Sequence, residues 1–234
     1  MERNNTIHLS IGRMCALLIH YFFGYLFFYQ MIATKITLTI EPSATILLPS
    51  VQLVTYLFTA LVAVFLAWPA VKSSFFYFKN DLDNNIRLSL YLVLFILFLN
   101  ILLCLSISLI TKTSQSENQA LIQEVSVKLP IMTILSTCIF APITEETVFR
   151  CGVFACLRDR WNFIFSAFLS SLLFGSIHII DSLFSGNFVD VCYVIVYAGI
   201  GLVLAYGYEK SSSVFVPCFA HALNNIISII LMFI

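Results

Sequence analysis

Long apolar stretches separated by shorter polar connectors are the dominant pattern of this 234-residue chain. Most stretches approach the roughly 20 residues that an α-helix needs to cross the hydrocarbon core of a bilayer. The pattern therefore predicts an all-α, polytopic transmembrane helix bundle with about seven spans. The seven predicted windows are residues 14–34, 51–70, 88–111, 130–157, 162–180, 190–208 and 214–234.

The composition supports a membrane protein and narrows its partners. Apolar residues make up 60% of the chain and charged residues only 10%, whereas soluble proteins contain about 25% charged residues. Twelve basic and twelve acidic side chains give no net charge, so we expect the lipid bilayer as a partner and no nucleic acid. The seven cysteines lie in apolar stretches without a C-x-x-C pair, which argues against a disulfide framework or a cysteine metal site.

The distribution of Lys and Arg over the connectors predicts the orientation in the membrane. Eight basic residues fall on the side of the N-terminus and three on the opposite side. Because cytoplasmic loops carry the excess of basic residues, the N-terminus is expected in the cytoplasm. The compactness of the chain favours a bacterial cell membrane. The eight are Arg3, Arg13, Lys72, Lys79, Arg87, Arg158, Arg160 and Lys210, and the three are Lys35, Lys112 and Lys128.

Three charged residues lie inside the fourth predicted helix. Glu145, Glu146 and Arg150 would each cost roughly 2.5–3.5 kcal/mol at the centre of a spanning helix. Glu146 and Arg150 are four residues apart and share a helix face, so they can form an ion pair that simply fastens helices together. Glu145 is rotated by about 100° and has no partner on its own helix. It is therefore the stronger candidate for a functional residue.

Two later helices each carry a histidine that lies four residues from another residue on the same helix face. Phe174 and His178 share one face, as do His221 and Asn225. Taken alone, His178 and Asn225 are each more typical of hydrogen-bonded packing residues. Counting about 1.5 Å per residue from the cytoplasmic ends places Glu145, Asn225 and His221 at roughly 20, 17 and 10 Å, and His178 deeper at roughly 26 Å. The depths favour convergence on one site, with His178 as the outlier.

These residues form three motifs that resemble those of the CAAX protease and bacteriocin-processing family (CPBP, or Abi) of intramembrane endopeptidases. The motifs are EExxxR at Glu145, Glu146 and Arg150, FxxxH at Phe174 and His178, and HxxxN at His221 and Asn225. They occur in this order on three predicted helices and cover residues 130–234. The resemblance implies a CPBP-like catalytic helical core at 130–234, preceded by N-terminal transmembrane helices at 1–129, within a single membrane domain.

The resemblance also implies a reaction and a role for each residue. Glu145 would activate water for hydrolysis of a peptide bond, and His178 would help to hold that water. His221 and Asn225 would stabilise the oxyanion. Glu146 and Arg150, with Phe174, would support the site. The implied substrate is a peptide, including prenylated and bacteriocin-type peptides.

Three alternatives remain open from the sequence. Glu145, His178 and His221 could form a zinc site of two histidines and a glutamate, although no H-E-x-x-H is present and the expectation is an enzyme without metal or other cofactor. A catalytically silent immunity or interaction protein could keep the same scaffold. A proton-coupled transporter is a third possibility, against which the lack of an internal repeat counts.

Overall fold

The computed structural model describes residues 9–233, and within this range the chain forms helices and turns without a strand. The all-α bundle predicted from the hydrophobic pattern is thus confirmed. In chain order the helices are α1 Ile11–Ile40, α2 Pro49–Leu66, α3 Trp68–Asn80, α4 Leu82–Thr111, α5 Glu117–Lys128, α6 Pro130–Arg158, α7 Phe163–Ile177, α8 Ile180–Ser185, α9 Phe188–Ser211 and α10 Phe215–Met232.

Six of the described helices are long and apolar enough to cross a membrane, namely α1, α2, α4, α6, α9 and α10. The fifth predicted window becomes α7, an apolar helix of 15 residues that is shorter than the roughly 20 residues of a full crossing. All seven windows therefore correspond to helices. The division of the chain at residue 130 stays a prediction.

The polar connectors between the second and third predicted windows (72–87) and between the third and fourth (111–128) are largely helical. Helix α3 continues almost directly from α2 and has a proline in its first turn, where the missing N–H does no harm. Helix α5 begins after Ser116, whose hydroxyl accepts a hydrogen bond from the backbone N–H of Gln119 at 3.2 Å. A serine followed three residues later by glutamine is a recognised helix-start pattern. Because both connectors are polar, hydropathy alone did not identify these helices.

Helix α6 is the most buried of the six long helices and carries the acidic cluster. Its turns widen to π-helical geometry over Ser136–Phe140 and Thr147–Phe154, on either side of the α-helical segment Ala141–Glu146. Such turns inside α-helices occur frequently at functional sites. The buried core around α6 combines residues of both halves of the chain, including Tyr21 and Ile96 with Phe149.

Helices α7 and α9 approach each other closely because small residues face each other. A Cβ atom at Gly175 would lie 2.9 Å from the backbone nitrogen of Ala198, and one at Gly201 would lie 2.9 Å from the Cβ atom of Ser171. Real Cβ contacts are not this short, so both positions need glycine. Small residues that let helix backbones approach in this way are common where membrane helices pack together. The close approach brings His178, just after α7, near the start of α9.

Candidate active site

The residues of the three sequence motifs lie together in the structure. Helix α6 supplies the EExxxR residues, the end of α7 supplies Phe174 and His178, and α10 supplies His221 and Asn225. Phe174 is in the centre of the group, with its ring 5.0 Å from the His178 ring and 5.7 Å from the His221 ring. The predicted convergence of three distant segments is therefore present.

Glu146 and Arg150 form the ion pair expected from their spacing. The Nε atom of Arg150 donates to Oε2 of Glu146 at 2.7 Å, and both side chains are completely buried. The guanidinium also faces the Phe174 ring, with 5.1 Å between Cζ and the ring centroid. Its Nη1 donates to Ser170 on α7 at 3.4 Å. The pair thus connects α6 to α7.

The second oxygen of Glu146 holds His221. Its Oε1 lies 3.0 Å from Nδ1 of His221. An ionised carboxylate only accepts hydrogen bonds, so Nδ1 carries the proton in this pair. The other ring nitrogen, Nε2, faces Glu145 at 4.0 Å from Oε2. Donation from Nε2 to another acceptor therefore requires the doubly protonated ring.

Glu145 is the carboxylate that the surrounding structure leaves available. It is buried, with 7% of its surface exposed, and among the described residues its Oε2 atom has no hydrogen-bond partner. Two imidazole nitrogens face this oxygen, Nε2 of His178 at 3.9 Å and Nε2 of His221 at 4.0 Å. His178 therefore reaches the level of Glu145, although counting residues along a straight helix placed it deeper.

Asn225 is partly committed to a structural contact. Its Nδ2 atom donates to the backbone carbonyl of Thr137 at 2.7 Å, within the first wide turn of α6. A carboxamide nitrogen has two hydrogens, so one N–H of Asn225 is left for another acceptor. Asn225 lies along the same cavity as Glu145, His178 and His221.

A cavity of about 620 Å³ extends from these residues to the connectors at one side of the bundle. Its walls include polar residues that the sequence motifs do not contain, among them Asn100 on α4 and Asn224 on α10, whose carboxamides are 3.4 Å apart. Asn100 could have been noticed in the sequence, because it is an asparagine within the apolar window 88–111. The outer wall is formed by α5, through Gln119, Ile122 and Val125.

The start of α5 is attached to the segment between α7 and α9 by a polar network. The Glu117 carboxylate accepts from Asn187 at 2.7 Å and from the Ser182 hydroxyl at 2.9 Å. Asp190 accepts from the backbone N–H of Glu117 at 2.8 Å, and its other carboxylate oxygen lies next to the same Ser182 hydroxyl, whose single proton is shared between the two carboxylates. The hydrogen bonds from Asn187 and Ser182 lower the pKa of Glu117. This network holds α5 over the cavity.

The distances around Glu145 bear on the predicted zinc site. Ligands of a tetrahedral zinc ion lie about 2.0–2.2 Å from the metal, and so roughly 3.4 Å from each other. The two measured separations, 3.9 and 4.0 Å, are longer. They suit atoms joined by one water molecule with hydrogen bonds of about 2.8 Å. Within residues 9–233 no group of three His, Cys, Asp or Glu side chains could hold a metal ion.

Comparison with known proteins points to the same kind of family as the three motifs do. Residues 127–227 match the family model described as "Type II CAAX prenyl endopeptidase Rce1-like". This segment, about 43% of the chain, is therefore similar to the Rce1-like family. It includes every candidate site residue, and it agrees with the family resemblance of the three motifs.

The chain is also similar to a Bacillus subtilis (strain 168) protein named "Putative membrane peptidase YdiL". The two are 32% identical over 117 residues, which is 50% of this chain and 43% of the relative. The chain thus matches less than half of the length of that protein. No solved structure matches the chain.

Proposed function

We propose that this protein is an intramembrane endopeptidase in which Glu145 activates a water molecule. One observation carries the proposal: a buried carboxylate oxygen without a hydrogen-bond partner among the described residues faces two imidazole nitrogens at 3.9 and 4.0 Å. A buried polar atom without a partner is costly to maintain, which favours a functional explanation. The match of residues 127–227 to the Rce1-like family model supports the same reaction.

The proposed reaction begins with water held between Glu145 and His178. Glu145 takes a proton while the water oxygen attacks the carbonyl carbon of the scissile peptide bond. The electron pair of the C=O bond moves to oxygen and forms a tetrahedral oxyanion. When the C–N bond breaks, the proton on Glu145 passes to the leaving nitrogen, and the products are a carboxylic acid and an amine.

The oxyanion of this intermediate needs hydrogen-bond donors. The free N–H of Asn225 is one candidate. Nε2 of His221 is the second when its ring is doubly protonated, since Nδ1 is already bonded to Glu146. Glu146 and Arg150 do not contact the substrate in this mechanism. They hold His221 and α6 in place.

The distribution of basic residues and the position of the cavity together indicate from which side of the membrane the substrate enters. The cavity is lined by α5, by the start of α9 and by the end of α10, which lie on the side of the bundle opposite to residues 67–81, 158–163 and 211–215. Within the described residues, the basic side chains in or next to those connectors and at the start of α1 are Arg13, Lys72, Lys79, Arg87, Arg158, Arg160 and Lys210, against Lys35, Lys112 and Lys128 on the cavity side; Arg3 lies outside the described residues. With the basic side in the cytoplasm, the cavity of this membrane enzyme opens on the non-cytoplasmic side.

A peptide is the proposed substrate, with prenylated and bacteriocin-type peptides as the classes to be compared. The walls of the cavity combine apolar side chains such as Leu26 and Ile200 with the polar group at Glu145. This combination suits a segment with an apolar portion next to the bond that is cleaved. No metal or other cofactor takes part in the proposed reaction.

The test is cleavage by the purified protein in liposomes. Peptide libraries with and without a prenyl group are incubated with wild type, Glu145→Gln and Glu124→Gln, and products are identified by mass spectrometry. Glu124 is an exposed glutamate on α5 that pairs with Lys128, so its variant is the matched control. We expect cleavage by wild type and by Glu124→Gln, and none by Glu145→Gln.

Two results would reject the endopeptidase proposal. One is a folded wild-type protein that cleaves no peptide, and the other is Glu145→Gln that cleaves as well as wild type. Binding of a partner that survives Glu145→Gln without any cleavage would instead indicate an immunity or interaction protein. Substrate flux without peptide products would indicate a transporter.

A further inference from the structure

The His178 ring is positioned by other rings. Within residues 9–233 it makes no hydrogen bond, and the nearest charged atom is Oε2 of Glu145 at 3.9 Å. Phe174, one turn earlier on α7, meets the imidazole edge-on at 5.0 Å. Tyr197 on α9 lies over its face, with ring centroids 4.5 Å apart and an angle of 24° between the planes. Such stacked geometry is a favourable arrangement for aromatic pairs.

Tyr197 is itself fixed at its other end. Its hydroxyl lies 2.7 Å from Oγ of Ser116 and accepts a hydrogen bond from Nδ2 of Asn118 at 3.2 Å. Ser116 is the residue that caps α5, since its Oγ also accepts from the N–H of Gln119. The tyrosine ring is therefore held between His178 on one side and the start of α5 on the other.

We propose that Tyr197 is a positioning residue of the active site, which fixes the plane of the His178 imidazole so that Nε2 faces Glu145. This inference rests on the proposed function. A ring without hydrogen bonds can turn about its side-chain torsions unless its faces are packed. Phe174 contacts the imidazole edge-on, so the stacked Tyr197 ring is the contact that defines the imidazole plane. Neither Tyr197 nor its partners on α5 belongs to the three motifs.

The chemistry explains why the plane of this ring matters. In the proposed reaction the water molecule lies between Oε2 of Glu145 and Nε2 of His178, whose separation of 3.9 Å leaves room for one bridging molecule. Rotation of the imidazole would move Nε2 away from that position. Small displacements of catalytic groups reduce rates by up to about 100-fold. Binding of the peptide would be affected much less.

Kinetics of two Tyr197 variants test this role. Tyr197→Leu removes the stacked ring, whereas Tyr197→Phe keeps the ring and removes the hydroxyl. For Tyr197→Leu we expect kcat to fall roughly 10- to 100-fold with KM within about two-fold of wild type. For Tyr197→Phe we expect kcat within about three-fold of wild type, because the stacked contact with His178 remains.

Tyr206→Leu is the matched control. Tyr206 lies on the same helix, is 44% exposed and contacts Lys210 away from the cavity. Its variant should retain wild-type kcat and KM. If Tyr197→Leu does not give folded protein, Tyr197→Met is measured against the same criteria, since methionine is also non-aromatic and adapts to irregular space.

Three outcomes would overturn the positioning role while the wild type is active. They are an unchanged kcat in the folded non-aromatic variant, a loss that appears in KM alone, and equal losses in the Phe and non-aromatic variants. The last result would assign the effect to the hydroxyl group and not to the stacked ring. An inactive wild-type enzyme would instead reject the proposed function itself, so the two failures are distinguishable.

Discussion

Glu146 and His221 are 75 residues apart in the chain and are joined by a 3.0 Å contact between Oε1 and Nδ1. The same carboxylate accepts from Arg150 through its other oxygen. Glu146 therefore connects α6 to α10 and has both oxygens occupied. Its neighbour Glu145 has an oxygen without a hydrogen-bond partner among the described residues. The two adjacent glutamates thus have different roles. Glu146 holds the site together, and Glu145 takes part in the proposed reaction.

Removing the Glu146 carboxylate should destabilise the protein. In Glu146→Gln the completely buried Arg150 guanidinium loses its counter-charge, and loss of one partner of a buried pair costs about 3–5 kcal/mol. We expect a clearly lower unfolding temperature in detergent, measured by differential scanning fluorimetry, and reduced cleavage. Glu145→Gln is the comparison, because Glu145 is not part of this ion pair.

The double variant Glu146→Gln/Arg150→Met sharpens this comparison. Because both members of the ion pair are removed together, it should lose less stability than the sum of the two single variants. If Glu146→Gln unfolds at the same temperature as Glu145→Gln, the ion pair does not stabilise the bundle as described.

The sequence was sufficient to predict the groups that meet at the site, because few polar residues occur in its apolar helices. The spacing of Glu146 and Arg150 predicted their ion pair, and the unpaired Glu145 was the informative exception. The predicted roles of Glu145, His178, His221 and Asn225 stay predictions until activity is measured. The occurrence of these residues in three motifs, in order on three helices, was the pattern that indicated a common site.

Other parts of the site could not be predicted from hydropathy. Helix α5 is polar along its length, and its position over the cavity depends on contacts between Glu117 and residues near 182–190. Tyr197 resembles any other aromatic residue of a membrane helix, and only packing of α9 against α7 shows that it lies over His178. Long-range contacts of this kind leave no periodic signal in one sequence.

Asn225 gives a test of oxyanion stabilisation. If its free N–H stabilises the oxyanion, Asn225→Leu should lower kcat by about 10²–10³-fold, the usual effect of losing one oxyanion donor. The measurement is steady-state cleavage of the best peptide from the library. Asn84→Leu is the control, since Asn84 is exposed and bonds to Asp81. A kcat for Asn225→Leu within a few-fold of wild type would remove this residue from the mechanism.

Cleavage should not depend on a bound metal. The separations of 3.9 and 4.0 Å between Glu145 and the two histidines suit a bridging water better than a shared zinc ion. We expect full activity after incubation with 1,10-phenanthroline and EDTA, with a zinc endopeptidase as the inhibited positive control. Activity that is lost on chelation and restored by added Zn²⁺ would establish the metal-dependent alternative.

Labelling of single cysteines tests the side on which the cavity opens. In a variant without the seven native cysteines, a cysteine is placed at Gln115, beside the cavity, or at Lys79, in the basic connector region. We expect a membrane-impermeant maleimide to label Gln115→Cys in intact cells and Lys79→Cys only after permeabilisation. Reversed labelling would place the cavity on the cytoplasmic side.

Acidification should loosen the attachment of α5. Donors from Asn187 and Ser182 lower the pKa of Glu117 below its ordinary value of 4.5, so these contacts stabilise the attached helix above about pH 4.5. As the pH falls through the lowered pKa, the carboxylate is protonated and this stabilisation is lost. We expect deuterium uptake of residues 113–129, corrected for intrinsic exchange, to rise in acid below pH 4.5.

Two variants separate this effect from general acid unfolding. Glu117→Ala lacks the acceptor and should show high uptake in the same segment already at neutral pH. Glu124→Gln should behave like wild type, because Glu124 contacts Lys128 on its own helix and not the segment between α7 and α9. Since α5 contacts Tyr197 through its hydroxyl, at Ser116 and Asn118, Glu117→Ala should change kcat by no more than Tyr197→Phe does. Unchanged uptake in Glu117→Ala at neutral pH would show that this carboxylate does not hold α5 in place.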